Sequence, residues 1–568
     1  MTPIHRRAGK KTLVLAALAV VGLAVAIPVA LKRLPIPTPP EPPKESARTS
    51  PAGGSGSPSI FRFYQENPET MDPPLASDSY SSAVVAQIYS PLVGLTSDLE
   101  PTPQVAESWT ISRDGLRYVF HVRPGVRFHT GREVTAEDFV YSLTRVFSEP
   151  YRSQGLAAGY LDAIVGAHEF MSGKSDRVAG IRALSRYMLE VRLVRPYPAL
   201  LSALALDQTS AVPRELIETK GPQALESTPV GTGPFRFVRR EGRQAVVLAA
   251  NPDYFMGRPG VDTLIFYSPS GEVTTLGAEA LLEGRATLSQ LPSGRIEEFR
   301  ARPGIAVLRW NDLSLAFVGM NTSKPPLDDP RVRRAIALAM DRQGMLNARP
   351  EGKSLATGIL PPGLPGYAPA QKVYVRDVDA ARTLLREAGY APDHPLPPLT
   401  LWKSIGSQDT KAVDSAMVAS LAEAGIRVQV RAVTWSVLDS LITRRKAELF
   451  SLAWVADIPD PDTFLRALFY STSSTNYFGF RDAAVDSLLN AARAAVDPTI
   501  RMGAYRRAEE SILRSAPFVP LYNTASFIGI RDDVEGLEMN PLGISTLAME
   551  KLRFAPSGEG SDGRHVTR

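Results

Sequence analysis

A chain of 568 residues with 44% hydrophobic and 22% charged side chains is too long for one ordinary domain and has the balance of a soluble protein with a large core. The net charge of +5 is local: residues 1–58 hold eight Lys/Arg against Glu41 and Glu45, which leaves the remainder at −1 and without a basic field to steer a nucleic-acid backbone. The absence of cysteine excludes disulfides, zinc–thiolate sites, a thiol nucleophile and a lipid-modified N-terminal cysteine.

Arg6, Arg7, Lys10 and Lys11 precede an uncharged run from Thr12 to Leu31, closed by Lys32 and Arg33. At ~1.5 Å rise per residue such a run spans about 30 Å, the thickness of a bilayer core. Residues 1–33 therefore read as a transmembrane or signal segment, N-terminus inside. An uncleaved anchor is favoured over a cleaved signal, for which Ala24-Val25-Ala26 offers small residues. Residues 34–58, rich in Pro, Ser and Gly, form a disordered linker, and residues 554–568 a disordered tail.

Between them, short alternating strands and amphipathic helices alternate without an internal repeat, which predicts α/β or α+β architecture. Tyr118, Phe120 and Val122 alternate with Val119, His121 and Arg123, a half-buried strand entering a turn at Pro124-Gly125. Thr135 to Asp138 form a capping-box variant ahead of a helix that aligns Phe139, Val140, Leu143, Val146 and Phe147. Gly231-Thr232-Gly233-Pro234 lacks the following helix a phosphate loop needs and reads as a turn into a strand. Asp329 and Pro330 supply an N-cap and a first-turn proline to a helix carrying Val332, Ala335, Ile336, Ala339 and Met340. A further helix runs from Asp379 to Ala388 and stops at Gly389, and another strand alternates at Ile426, Val428 and Val430.

A strand over Glu448–Val455 leads into Trp454-Val455-Ala456-Asp457-Ile458-Pro459-Asp460-Pro461-Asp462, which puts three carboxylates within six residues. An aspartate at a strand end beside a tryptophan can meet a free amine. The competing reading leaves these carboxylates in solvent or capping the next helix, with Asp462 as the cap of the run Thr463–Phe469. No HExxH, P-loop, G-x-S-x-G or dinucleotide fingerprint occurs, and His121 and His129 merely bracket a turn. Neither a metal site, a cofactor nor catalysis is expected.

Several strings, in order, resemble one family, the oligopeptide- and dipeptide-binding proteins of ABC importers (extracellular solute-binding family 5). They include Met71-Asp72-Pro73, Ile88 to Val93, Val105 to Trp109, Tyr118 to Tyr141, Gly231 to Phe235, Asn251 to Tyr254, Asn321 to Asp341, Trp454 to Phe464 and Pro517 to Tyr522. The resemblance covers residues 60–550 and implies an α/β, bilobed periplasmic-binding-protein-like fold with an additional domain. By analogy, lobe I combines 59–98, 225–310 and 528–553, the extra domain is 99–224 and lobe II is 311–527.

What the resemblance implies for function is capture of peptides in an interlobe cleft and delivery to an ABC permease of the inner membrane, by a monomer held at the periplasmic or cell-surface side. Asp457 would pair with the ligand's α-ammonium, Trp454 would wall the cleft, and Ser77, Asp78 and Ser79 would offer backbone to an extended peptide. Tyr151 resembles a tyrosine near the ligand, with ordinary packing as the competing reading. Trp402 and Trp435 either line a pocket or, as expected for each, sit in the core. One departure is Ser451, where some oligopeptide binders carry an arginine, which leaves recognition of the peptide carboxylate open. Non-peptide solutes (nickel complexes, haem, opines or sugars) and a role as a membrane-anchored sensor or assembly partner remain alternatives on the same scaffold.

Overall fold

The computed structural model describes residues 58–348, 352–369, 374–405 and 411–555. The anchor assigned to 1–33, all but the last residue of the linker and residues 556–568 of the tail lie outside them. No helix among the described residues is long and apolar enough to cross a membrane.

Strand Phe518–Arg531 organises the molecule. Its first half pairs antiparallel with Ser314–Met320, and its second half with Ile305–Asn311 and Leu288–Gln290. Fourteen residues of Val, Ile, Phe, Tyr and Thr in high proportion favour so long an extended run. From its second half the sheet continues through Ile60–Tyr64, Thr263–Tyr267, Ala245–Ala250 and Phe235–Glu241. From its first half it continues through Ser314–Met320, Leu449–Val455, Leu399–Ser404 and Val428–Val433. The last three run parallel, so their C-terminal ends share one edge, where open α/β sheets place their ligands.

The two halves of the sheet bury separate cores. Phe61, Phe63, Val84, Ile88, Phe235 and Phe266 fill the first. The second half is covered on both faces: Ala335, Ile336, Met417 and Leu421 pack on one, while Phe317, Phe450, Phe469, Phe478 and Phe518 cluster under helices Ala483–Ala494 and Pro498–Ser515 on the other. A separate four-stranded antiparallel sheet, in the order Ala106–Ile111, Arg117–Val122, Met188–Arg192, Ile181–Ser185, packs with helix Ala136–Val146 around Phe120, Phe139, Leu143 and Leu189. Each such fully buried side chain contributes about 1.5–3 kcal/mol.

The local signals act as read. Thr135 N donates to Asp138 Oδ2 at 2.8 Å, Asp329 Oδ1 accepts from Arg331 N at 2.8 Å, and Gly389 takes the left-handed φ of +92° that ends its helix. Gly231 and Gly233 lead into Phe235–Glu241; a Cβ on either would lie 2.2 or 2.5 Å from Ile88 backbone atoms, so only glycine fits. Trp435 corrects its expectation. It opens helix Trp435–Thr443 beyond the sheet edge and is 56% exposed rather than in the core.

Candidate functional site

Asp457 stands two residues beyond strand Leu449–Val455, and Ala456 N still bonds Leu313 O at 2.8 Å, so the strand edge delivers the aspartate in a fixed position. Trp454 Nε1 donates to Thr463 O at 2.7 Å, which staples the loop from 455 to 463 across its base. Its ring packs against the Phe-rich core and is half-buried.

The three aspartates of this loop divide. Asp460 receives Arg501 Nη2 at 2.7 Å with both side chains buried, and caps Asp462 N at 3.0 Å. Asp462 pairs with Arg493 Nε at 3.0 Å and accepts from the Tyr505 hydroxyl at 3.0 Å. It is therefore the first residue of helix Asp462–Phe469 and part of a buried charge network, not the expected cap. Asp457 has no Lys or Arg partner among the described residues. Its Oδ2 accepts from the Tyr160 hydroxyl at 2.6 Å, and Thr463 Oγ1 lies 3.2 Å from that hydroxyl. Burial pushes the Asp457 carboxyl above its usual range, and the Tyr160 bond opposes the rise. Burial, then the charge of Asp457, raises the Tyr160 phenol well above its own range, so it remains a donor.

Tyr160 comes from the domain built on the four-stranded sheet, and that domain also receives Ile458, which is fully buried in its core. Asp162, two residues on, pairs with Arg195 at 3.0 Å and with Arg493 at 3.1 Å, and the Arg493 guanidinium lies 4.6 Å over the Tyr197 ring.

The other anticipated residues occupy three places. Asp78 caps helix Ser79–Ile88, accepting from Tyr80 N at 3.0 Å and Ser81 N at 2.8 Å, with Ser77 and Ser79 exposed beside it. Gln208 Nε2 donates to Ala76 O next to this turn. Tyr151 is buried: its hydroxyl accepts from Arg145, which also pairs with Asp72 at 2.7 Å and stacks 4.0 Å over the Tyr151 ring. Trp402 lies within strand Leu399–Ser404, half-buried against the Phe-rich core, with Arg431 5.7 Å over its ring. Trp454 is the penultimate residue of the strand whose following loop carries Asp457, whereas among the described residues no hydrogen bond or ring contact joins Ser77 to Ser79, Tyr151 or Trp402 to either of them.

His129 is no metal ligand in waiting. Its ring nitrogens face Gly233 O at 3.1 Å and Gly231 N at 3.4 Å, and burial holds its imidazole down to about 4. No group of three His, Asp or Glu among the described residues is placed to hold a metal. Sequence reasoning missed Tyr160, Asp162 and Arg493. They lie far along the chain from the partners that define them, and no motif announces any of the three.

Residues 100–476 match the family described as bacterial extracellular solute-binding proteins, family 5 Middle. A probable di/tripeptide-binding protein 5 of Pseudomonas aeruginosa is 32% identical over 467 residues, 78% of this chain and 85% of the relative. Haem-binding protein A of Haemophilus influenzae is 28% identical over 482 residues, 80% of this chain and 85% of the relative. Among solved structures, the ABC transporter-associated periplasmic binding protein DppA of Helicobacter pylori, in complex with the peptide STSA, is similar with a TM-score of 0.74 at 26% identity, covering 88% of this chain and 98% of that one. The α/β bilobed fold expected from the sequence is the one these neighbours share, and the chain belongs to the bacterial extracellular solute-binding proteins of family 5.

Proposed function

We propose that this protein is the extracytoplasmic binding component of an ABC importer, capturing peptides between its lobes and passing them to a permease. One observation carries the reading: of three aspartates in one loop, Asp460 and Asp462 are neutralised by Arg501 and Arg493, while Asp457, its carboxyl pushed up by burial, has no Lys or Arg partner among the described residues. A ligand ammonium supplies that missing charge. A hydrogen bond to a charged group contributes about 1.5–3 kcal/mol, and desolvation strengthens it. The relatives named for di- and tripeptides support the ligand class.

The ligand lies between lobe I (59–98, 225–310, 528–553) and lobe II (311–527), with 99–224 closing over it. Trp454 and Trp402 wall the lobe II side, and Ser77, Asp78 and Ser79 present the lobe I backbone. Tyr151 acts through Arg145 and Asp72 at the back of the site. The protein works as a monomer, exported by residues 1–33 and tethered by them to the cytoplasmic membrane.

Isothermal titration of the purified protein with N-terminally free di- to pentapeptides and their N-acetyl forms tests this. Binding of the free forms and loss on acetylation is expected; equal binding of both forms removes the ammonium contact. Intact mass and N-terminal sequencing test the anchor.

A further inference from the structure

The segment Tyr151 to Asp162 is held at both ends. At its start, the Tyr151 hydroxyl accepts from Arg145, whose other partner is Asp72 at 2.7 Å. Four residues later the chain lies so close to the turn Pro73–Leu75 that a Cβ on Gly155 would sit 2.1 Å from Pro74 O. At its end, Asp162 pairs with Arg493 at 3.1 Å, on the helix that also grips Asp462 of the aspartate loop. Tyr160 stands between these anchors with its hydroxyl 2.6 Å from Asp457 Oδ2. Among the described residues Tyr160 is the one hydrogen-bond donor to the Asp457 carboxylate, and no Lys or Arg pairs with it. Thr463 Oγ1 contacts both that hydroxyl and Asp457 N, so the carboxylate, the phenol and this threonine form one small polar group.

Resting on the peptide-binding reading above, we propose that Tyr160 is a positioning and specificity-determining residue: its hydroxyl fills Oδ2 of Asp457 and leaves Oδ1 as the oxygen an incoming ammonium takes. A phenol that only donates cannot neutralise the carboxylate, so the charge remains for the ligand to satisfy. Neutral N-terminal groups, such as an acylated amine, leave it uncompensated. Because Tyr160 belongs to a segment anchored on Asp72–Arg145 at one end and on Arg493 at the other, Asp457 is set in its ligand-ready position only when these parts are together. The contact ties amine selection to closure.

The test is Tyr160→Phe in the full protein, which keeps the ring and removes the hydroxyl. Binding of Ala-Phe and Ala-Phe-Ala is measured by intrinsic fluorescence and calorimetry between about pH 4 and 8. Removing a hydrogen bond to a charged group lowers affinity about tenfold or more at neutral pH. The hydroxyl favours the ionised carboxylate, so its loss also moves the acid midpoint of binding to higher pH. A merely structural role would weaken binding equally at all pH values and leave that midpoint in place. An unchanged midpoint overturns the proposal even if affinity falls. Asp457→Asn is measured alongside. If it binds as well as the wild type, the peptide reading itself fails; if it loses binding while Tyr160→Phe keeps the wild-type profile, only the role of Tyr160 fails. Failure of the wild type to bind either peptide overturns both.

Discussion

Arg501 meets Asp460 at 2.7 Å with both side chains buried, and the Tyr505 hydroxyl, one helical turn away, reaches Asp462 two residues farther along the same loop. Helix Pro498–Ser515 thus fixes the aspartate loop from behind while Asp457 is left to face outward chemistry. Removing one partner strands a buried charge. Arg501→Ala is expected to cost about 3–5 kcal/mol in urea unfolding, because breaking a buried pair leaves its partner uncompensated. The double variant Arg501→Ala with Asp460→Ala is expected to cost less than the single one, which a double-mutant cycle reads directly.

Asp457 behaves oppositely. Burial raises its folded-state pKa, so the folded protein holds its proton more tightly than the unfolded chain does. Stability of the ligand-free protein then falls as pH rises above the ordinary carboxylate value, and ionised Asp457 is a destabilising group at neutral pH. Asp457→Asn should therefore melt higher than the wild type at pH 7 without ligand, with the advantage shrinking toward pH 4. The same variant should lose roughly tenfold to a hundredfold in affinity for N-terminally free peptides. A gain in stability joined to a loss of binding separates a ligand site from a structural carboxylate; a loss of both would assign Asp457 to the fold.

What the sequence revealed of this arrangement, and what it concealed, follows from distance along the chain. The box at Thr135 to Asp138, the cap at Asp329, and the turn at Gly231 to Gly233 depend on neighbours within a few residues, and all act as read. The stretch from Trp454 to Asp462 stands out in the sequence as a candidate, yet the division of labour among its aspartates does not. Asp462 looked like a cap because its partners, Arg493 and Tyr505, lie 31 and 43 residues away. Tyr160 lies 297 residues from Asp457, and nothing local marks it. Trp435, expected in the core behind a strand-like segment, instead begins a helix where the sheet has already ended.

Ile458 offers a mechanical test of how the loop is seated. It is fully buried among residues of the four-stranded-sheet domain, although it follows directly on Asp457. Ile458→Ala is expected to cost about 2–5 kcal/mol, the range for truncating a buried isoleucine. Because the lost contacts join two parts of the molecule, part of that cost should appear as faster ligand release in stopped-flow measurements. Unchanged release together with a lowered unfolding midpoint would restrict Ile458 to stability.

Asp312 sits where the chain passes from strand Ile305–Asn311 to strand Ser314–Met320, and it accepts from the hydroxyls of Thr524 at 3.0 Å and Ser526 at 2.8 Å on the long strand beside it. The two backbone crossings are thus stitched by one carboxylate. Asp312→Ala removes these bonds to two half-buried hydroxyls, of which Thr524 keeps its contact with Ser314 Oγ, at about 1–3 kcal/mol. Amide exchange over 310–316 and 522–528 should accelerate in the variant, while exchange in the distant strand Arg117–Val122 should not change.

Asp207 supplies the pH dependence most accessible to experiment. Burial pushes its carboxyl up to about 7, Ser82 opposes the rise, and its Oδ2 has no hydrogen-bond partner among the described residues. The sign follows from proton binding: between the unfolded value of 3.8 and about 7 the folded state holds the proton that the unfolded chain releases. The protonated carboxyl is accommodated in the fold, and its ionisation progressively destabilises the protein as pH rises through that window. Asp207→Asn removes the titration but keeps the shape. Unfolding free energies of variant and wild type should agree best near pH 4 and diverge as pH rises, with the variant more stable at pH 8. A constant difference across the range would show that Asp207 does not titrate there. Because Asp207 adjoins Gln208, which bonds the backbone just before Ser77, peptide affinity measured over the same range would reveal whether this carboxyl's proton is felt at the first-lobe turn.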